Sequence, residues 1–303
     1  MNVPNSDLPA PNDVLRDLAD QLQELTPEVR KAAVYVLENP NDVSVSSIRE
    51  IADAASVKPN TFVRMARSCG FDGYDDFREP FREEIRRGGA AFPDRARWLQ
   101  SLSRGGKLGG LYADMAASAI TNIERTFADT DATRMKAAAD AIVNARQTYV
   151  LGVGINHALA RAFTYLADMA VDTVHAIPRD GNLAVDDLMR AGPEDVLVAM
   201  TFKPYRSEVV DAVEIARQQG VTIIGISDSP ASPVLAGSAH AFVTQTDTPQ
   251  FFTSTFATGA LLETLMAFVI ADAGPDVIAD IDRFHRRRHA LGIYRTEVGE
   301  QEG

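Results

Sequence analysis

The chain has 303 residues, 46% of them hydrophobic and 24% charged, with 42 acidic against 30 basic residues and a formal net charge of −12. This is an ordinary globular composition with room for two domains, and its acidic balance argues against indiscriminate adhesion to nucleic acid or anionic lipid. The single cysteine, Cys69, excludes an intrachain disulfide and a cysteine-based zinc site.

The chain opens on MNVPNSDLPAPND, which is polar and proline-rich. Residues 1–12 are expected to be a tail without an apolar signal-peptide core. No run of about 18 apolar residues follows, so a cytoplasmic protein without a membrane partner is expected. Val14, Leu15, Leu18, Leu22 and Leu25 recur at helical spacing. Thr26-Pro27 opens a second helix, whose apolar positions run from Val29 to Leu37 and which Asn39-Pro40 ends.

Ser47 and Glu50 form a capping-box pair before a short helix carrying Ile48, Ile51, Ala52 and Ala55. Ser56-Val57-Lys58 breaks the pattern, and Pro59 suits the first turn of a new helix. That helix carries Phe62, Met65, Ala66 and Cys69 on one face and stops at Gly70. Two short helices with a small residue at their crossing describe a helix-turn-helix. Lys58, Asn60, Thr61, Arg64 and Arg67 lie off the apolar stripe, and no carboxylate occurs between Ala54 and Phe71. Early residues of the second helix in such a unit meet base edges. Asn suits adenine, Arg suits guanine, and Thr suits polar edges or a thymine methyl. Ser56 stands where the turn commonly takes a glycine, so a positive φ is expected there.

The next helix carries Phe77 and Phe81, with Arg78, Arg82, Arg86 and Arg87 interleaved among carboxylates; a solvated, salt-bridged face is expected. Residues 88–110 are rich in Gly, Ser and Arg and form the candidate linker, with Trp98 suggesting a short docked helix. Two helices follow between Leu111 and Asn144.

From Thr148 onward, apolar runs alternate with helical segments: TYVLGVG, DTVHAI, DVLVAMT, VTIIGIS and AHAFVTQ. Near-continuous apolar strands separated by helices imply a five-stranded parallel sheet covered on both faces. The expected fold class is therefore α/β: an all-α helix-turn-helix domain at 13–87, the linker, and a flavodoxin-like doubly wound domain at 111–303.

Ligands of such sheets bind at the carboxyl ends of the strands. Gly152, Gly154, Asn156 and His157 occupy the first end, where glycines let backbone approach an anion. Thr201, Lys203, Arg206 and Ser207 occupy the second, and Ser227 the third. Hydroxyls and two cations make an anion cradle. His157 replaces the third small residue of a dinucleotide fingerprint, so neither a nucleotide cofactor nor a metal is expected. Acid–base chemistry would draw on His157, His175, His240, Glu208 and Glu263, but no residue is assigned as catalytic.

These motifs resemble the RpiR/MurR family of bacterial transcriptional regulators, which join a helix-turn-helix to a sugar isomerase (SIS) domain. The resemblance rests on Asn39-Pro40, Ala52, Thr61, Arg64, Gly70-Phe71, Gly73-Tyr74 and Phe77. In the second domain it rests on YVLGVGINHALA and the run from Val196 to Val243. It implies a homodimer or homotetramer that binds operator DNA under control of a small anionic effector, a sugar phosphate or sugar acid. It also implies that Gly152, Gly154 and Asn156 form a phosphate-contacting turn and that Thr201, Lys203 and Arg206 stand in the place of a Ser-rich loop. Thr201-Phe202-Lys203-Pro204-Tyr205-Arg206 replaces the Ser-x-Ser-Gly-x-Thr loop of SIS enzymes, which makes retained isomerase chemistry unexpected. The alternatives are a sugar-phosphate isomerase or lyase with an accessory helical domain, and a pure assembly module.

Overall fold

A computed structural model describes residues 8–86 and 92–294. The chain divides into two units: Met1–Thr121 with Thr246–Ser254, and Asn122–Gln245 with Thr255–Gly303.

The first unit holds α1 (Pro11–Asp20), α2 (Pro27–Glu38), α3 (Pro40–Val45), α4 (Ile48–Ala54), α5 (Pro59–Ser68), α6 (Tyr74–Arg86) and α7 (Phe92–Arg104). The start of α8 (Leu108–Ala128) also belongs to it. Proline stands in the first turn of α1, α2, α3 and α5, where its missing N–H has no helical partner. This explains two departures from expectation. Pro11 starts α1 inside the expected tail, and Pro40 does not merely end α2 but opens a further helix.

The core of this unit gathers Leu18, Val36, Ile51, Phe62, Met65, Ala66 and Phe77. The capping box forms as expected: the Ser47 N–H donates to Glu50 Oε2 at 2.7 Å, and the Glu50 N–H to Ser47 Oγ at 3.3 Å. Phe71 N–H donates to the Ala66 carbonyl, and Gly70 N–H to that of Arg67, a Schellman closure of α5. Ser56 is left-handed, with φ +54°.

Two buried arginines correct the sequence reading. Arg78 does not lie on a solvated face; only 8% of it is exposed. Its guanidinium donates to the carbonyls of Ser44 and Ser46, which lie just ahead of the Ser47 cap. Arg87 lies outside the described residues. Residues 92–104, expected within a linker, form α7, where Trp98 is buried and Arg95 is 1% exposed. Arg95 donates to the carbonyls of Thr248, Gln250 and Phe252, and Phe92 packs on Phe252. A charged side chain can be buried where carbonyl acceptors replace its water.

The second unit comprises α9 (Ala132–Val143), β1 (Thr148–Gly152), α10 (Ile155–Ala167), β2 (Val174–Ile177), α11 (Ala184–Asp187), β3 (Val196–Met200), α12 (Ser207–Gln218), β4 (Thr222–Ser227), β5 (His240–Val243), α13 (Phe256–Asp272) and α14 (Pro275–Ala290). The strands form one parallel sheet in the order β2-β1-β3-β4-β5. Alternation along β3 divides the core: Val196, Val198 and Met200 join one cluster, Leu197 and Ala199 the other. The first cluster takes Met135, Phe163 and Leu265 from α9, α10 and α13; the second takes Val209 and Val213 from α12. Both faces are covered, as the uninterrupted apolar strands require. Among the described residues no single helix is long and apolar enough to cross a membrane.

The strained turn gives a first prediction. Ser56→Gly should relieve the left-handed serine and raise the stability of the first unit by about 0.5–1 kcal/mol, whereas Ser56→Val should lower it by at least as much. Chemical denaturation followed by circular dichroism reads both, and equal midpoints for the two variants would contradict it.

Candidate nucleic-acid interface and ligand crevice

The setting of α5 follows from its apolar stripe. Phe62, Met65 and Ala66 are fully buried, and α2, α4 and α6 all pack against this helix. The opposite face must then be outward, and Lys58, Asn60, Arg64 and Arg67 are all exposed. Thr61 is not among them. It is only 7% exposed, because it lies on the flank of the stripe, about 100° from Phe62, where the packed helices close over it. Arg67 Nε donates to the Asp72 carbonyl at 3.2 Å, which steadies that side chain at the end of the helix. No described carboxylate lies within ion-pair range of Lys58 or Arg64, so their charge is uncancelled.

In the second unit, strand order reverses on either side of β1, so the switch point lies between β1 and β3. The register sets Gly152 opposite Met200, which brings the turn at Gly152–Gly154 beside the loop that begins at Thr201. At Gly152 a Cβ would stand 2.2 Å from the Asn156 carbonyl oxygen. Gly154 adopts φ +63° and ψ −129° with open space around it, so bare backbone faces the crevice at the start of α10. Asn156 is 8% exposed, and its Oδ1 has no protein partner. His157 Nδ1 lies 3.2 Å from the Gly152 carbonyl oxygen, tying the ring to its own turn.

The loop after β3 differs from the cradle expected of it. Thr201 is buried, and its Oγ1 accepts the Arg206 N–H at 3.2 Å. Ser227 is buried too, and its hydroxyl donates to the Thr201 carbonyl at 2.6 Å. The Ser227 hydroxyl thus joins the ends of β3 and β4, while that of Thr201 closes the loop after β3 on itself. Arg206 pairs with Glu208 at 2.6 Å, which cancels one of the two expected cations. Lys203 and Ser207 remain exposed. The Lys203 N–H donates to Asp228 Oδ2 at 3.3 Å, while no described carboxylate pairs with its ammonium.

Two family descriptions match this chain: "Helix-turn-helix domain, rpiR family" over residues 12–87 and "SIS domain" over residues 141–271. The chain belongs to the RpiR family of helix-turn-helix transcriptional regulators. The regulator HexR of Pseudomonas aeruginosa is 26% identical over 235 residues, covering 74% of this chain and 76% of HexR. An uncharacterized HTH-type transcriptional regulator of Caldanaerobacter subterraneus is 23% identical over 86% of this chain and 88% of its own. Among solved structures, the Vibrio vulnificus NanR protein complexed with ManNAc-6P aligns over 92% of this chain and 98% of its own. Its TM-score is 0.53 at 20% identity. The sugar isomerase domain of an RpiR transcription factor from Sphaerobacter thermophilus gives a TM-score of 0.54 at 21% identity, over 60% of this chain and 99% of its own. These two share the fold.

Three of the five candidate acid–base groups stand away from the carboxyl ends of β1 and β3. His240 opens β5 and His175 is the second residue of β2, at the amino ends of parallel strands and so across the sheet from the crevice. His175 Nε2 sits 2.5 Å from Gln147 Oε1. Glu263 is exposed on α13, outside the core. The two relatives named HexR, of Pseudomonas aeruginosa and Escherichia coli, are transcriptional regulators.

Sequence reasoning missed the loop after β2. Asp187 is buried and accepts the Arg179 N–H at 2.8 Å, the Arg179 guanidinium at 2.6 Å and the Asn182 amide at 2.8 Å. Burial pushes its carboxyl up, but the three donors outweigh that and hold it below the usual carboxylate range. Nothing in local spacing announces such a pin, because its partners lie five and eight residues away across an irregular turn.

The backbone of Gly154 supplies a second prediction. Gly154→Ala should destabilise the second unit by about 1–3 kcal/mol, since a side chain rarely adopts that conformation. Thermal unfolding measures the loss; an unchanged transition would show that the turn adapts at no cost.

Proposed function

We propose that this regulator reads a specific operator with the exposed ridge of α5, and that a small anionic metabolite in the crevice between β1 and β3 modulates that reading. The observation that carries the DNA reading is the pairing of opposites on one short helix. A fully buried stripe fixes it, while Lys58, Asn60, Arg64 and Arg67 stand outward without an acidic neighbour on the helix. On an acidic protein such a local cationic face is where the phosphate-driven part of DNA affinity must arise. Asn60 and Arg64 lie early enough in the helix to meet base edges.

For the effector, supporting features are bare backbone at Gly154, the uncancelled ammonium of Lys203 and the start of α12 at Ser207. These suit a phosphate or carboxylate group. The NanR complex with ManNAc-6P makes sugar phosphates the first class to test. An effector can shift operator occupancy only by binding one arrangement of the protein more tightly than another. A homodimer or homotetramer in the cytoplasm fits this role, and a dimer would read half-sites about 34 Å apart or multiples of that. We assign residues 13–87 to operator reading and 111–303 to sensing and assembly.

Selection of bound fragments from genomic DNA tests the first half of this proposal. Arg64→Ala should then weaken binding to the selected fragment by about 1–3 kcal/mol and relax preference at one base position. Undiminished affinity at fixed salt would remove Arg64 from the reading face. Lys203→Ala should lower affinity for whichever sugar phosphate in a panel shifts operator binding by at least tenfold, leaving effector-free operator affinity unchanged. Equal effector affinity in calorimetry would place the anion elsewhere.

A further inference from the structure

A cavity of about 260 Å³ in the first unit lies beside Ser47 and is walled by Arg78 and Arg82 of α6, by Trp98 and Arg104 of α7, and by Lys107. Four cations thus border one small space in a protein of net charge −12. Glu50 is the one carboxylate in its wall, and one of its oxygens is occupied by the Ser47 N–H. Arg78 is held by backbone carbonyls, and Arg82 pairs loosely with Glu79 at 3.6 Å. No described carboxylate lies within ion-pair range of Arg104 or Lys107, and both are exposed.

The chain is built to place Lys107 there. Gly106 turns left-handed at φ +67°, Lys107 N–H donates to the Leu102 carbonyl at 2.9 Å, and Gly106 N–H to that of Ser103 at 3.1 Å. This closure folds the chain back along the end of α7, so Lys107 rejoins Arg104 instead of continuing away. A favourable interaction with the end of α7 accounts for Arg104 alone. It does not account for cations arriving from α6.

The geometry points to a second DNA contact: Arg82, Arg104 and Lys107 receive phosphates of the operator backbone beside the reading helix. This rests on the operator reading proposed above. In a helix-turn-helix the first helix crosses the DNA backbone while the second enters the groove, and Ser47, the cap of that first helix, lines the cavity. Ser47 and Arg78 also line a neighbouring hollow that contains Arg67 of α5. Asp72, Asp75 and Asp76 surround that hollow, so backbone contact is interrupted between the α5 ridge and this cluster. Lys107 and Arg104 lie outside both matched family regions, residues 12–87 and 141–271. The segment expected as a linker would therefore be part of the DNA interface.

The test uses the full chain and the DNA fragment it selects, with affinity measured by fluorescence anisotropy from 50 to 250 mM salt. The Arg104→Gln/Lys107→Gln double variant should make the slope of log affinity against log salt shallower by about 1.8, near 0.9 for each lost contact. Its selected sequence should match that of the unaltered protein, since phosphates carry no direct base information. Both side chains are exposed, and circular dichroism checks that the variant is folded. Unchanged slope and affinity in a folded variant that still binds DNA would overturn the inference. So would an unchanged slope combined with saturable binding of inorganic phosphate that the double variant abolishes, because the cluster would then serve a small anion. Failure to select any DNA would instead bring down the operator reading itself.

Discussion

Everything proposed for the first unit depends on how α5 is rotated about its own axis. That rotation is fixed by burying Phe62, Met65 and Ala66 completely, each such side chain contributing on the order of 1–3 kcal/mol. Turning the helix by half a revolution would expose all three and bury two uncompensated arginines. The surrounding polar contacts make the setting unique. The capping box starts α4, Arg78 holds the carbonyls ahead of that cap, and the Gly70 closure ends α5. Arg30 does the same for the turn between α1 and α2, donating to the carbonyls of Leu22, Gln23 and Leu25.

Arginine as a clasp for carbonyls recurs in this unit. Arg95 holds the stretch Thr248–Phe252 through three carbonyls, and its neighbour Asp94 accepts from Asn41 of α3 at 2.7 Å. One turn of α7 therefore grips both α3 and a segment that lies between β5 and α13 in the sequence. A guanidinium suits this work because its donors form a rigid fork that can satisfy several acceptors at once.

Features governed by neighbours in sequence were readable from residues alone. The capping box, the left-handed Ser56, the Pro59 start and the five strands each depend on a few adjacent positions, and all formed. The strand order follows from general rules of connection rather than from any one residue. What sequence could not reveal were partners distant along the chain. Arg78 looks like one more charge in a mixed-charge helix until Ser44 and Ser46 are brought beneath it. Thr61 sits at the edge of an apolar stripe, where a shift of a few tens of degrees separates buried from exposed. Thr201 and Ser227 stand at the expected strand ends, yet the Thr201 hydroxyl bonds its own loop and that of Ser227 bonds the Thr201 carbonyl. At the carboxyl ends of the strands, the residues' places along the chain were legible and their hydrogen-bond partners were not.

The most direct measurement is site-specific photo-crosslinking to the fragment that the regulator selects from genomic DNA. A crosslinker at position 60 or 64 should capture that fragment, and one at position 143, on α9 of the second unit, should not. Capture from 143 with none from 60 or 64 would contradict the account, because the outward face of α5 would then not be the surface that meets DNA.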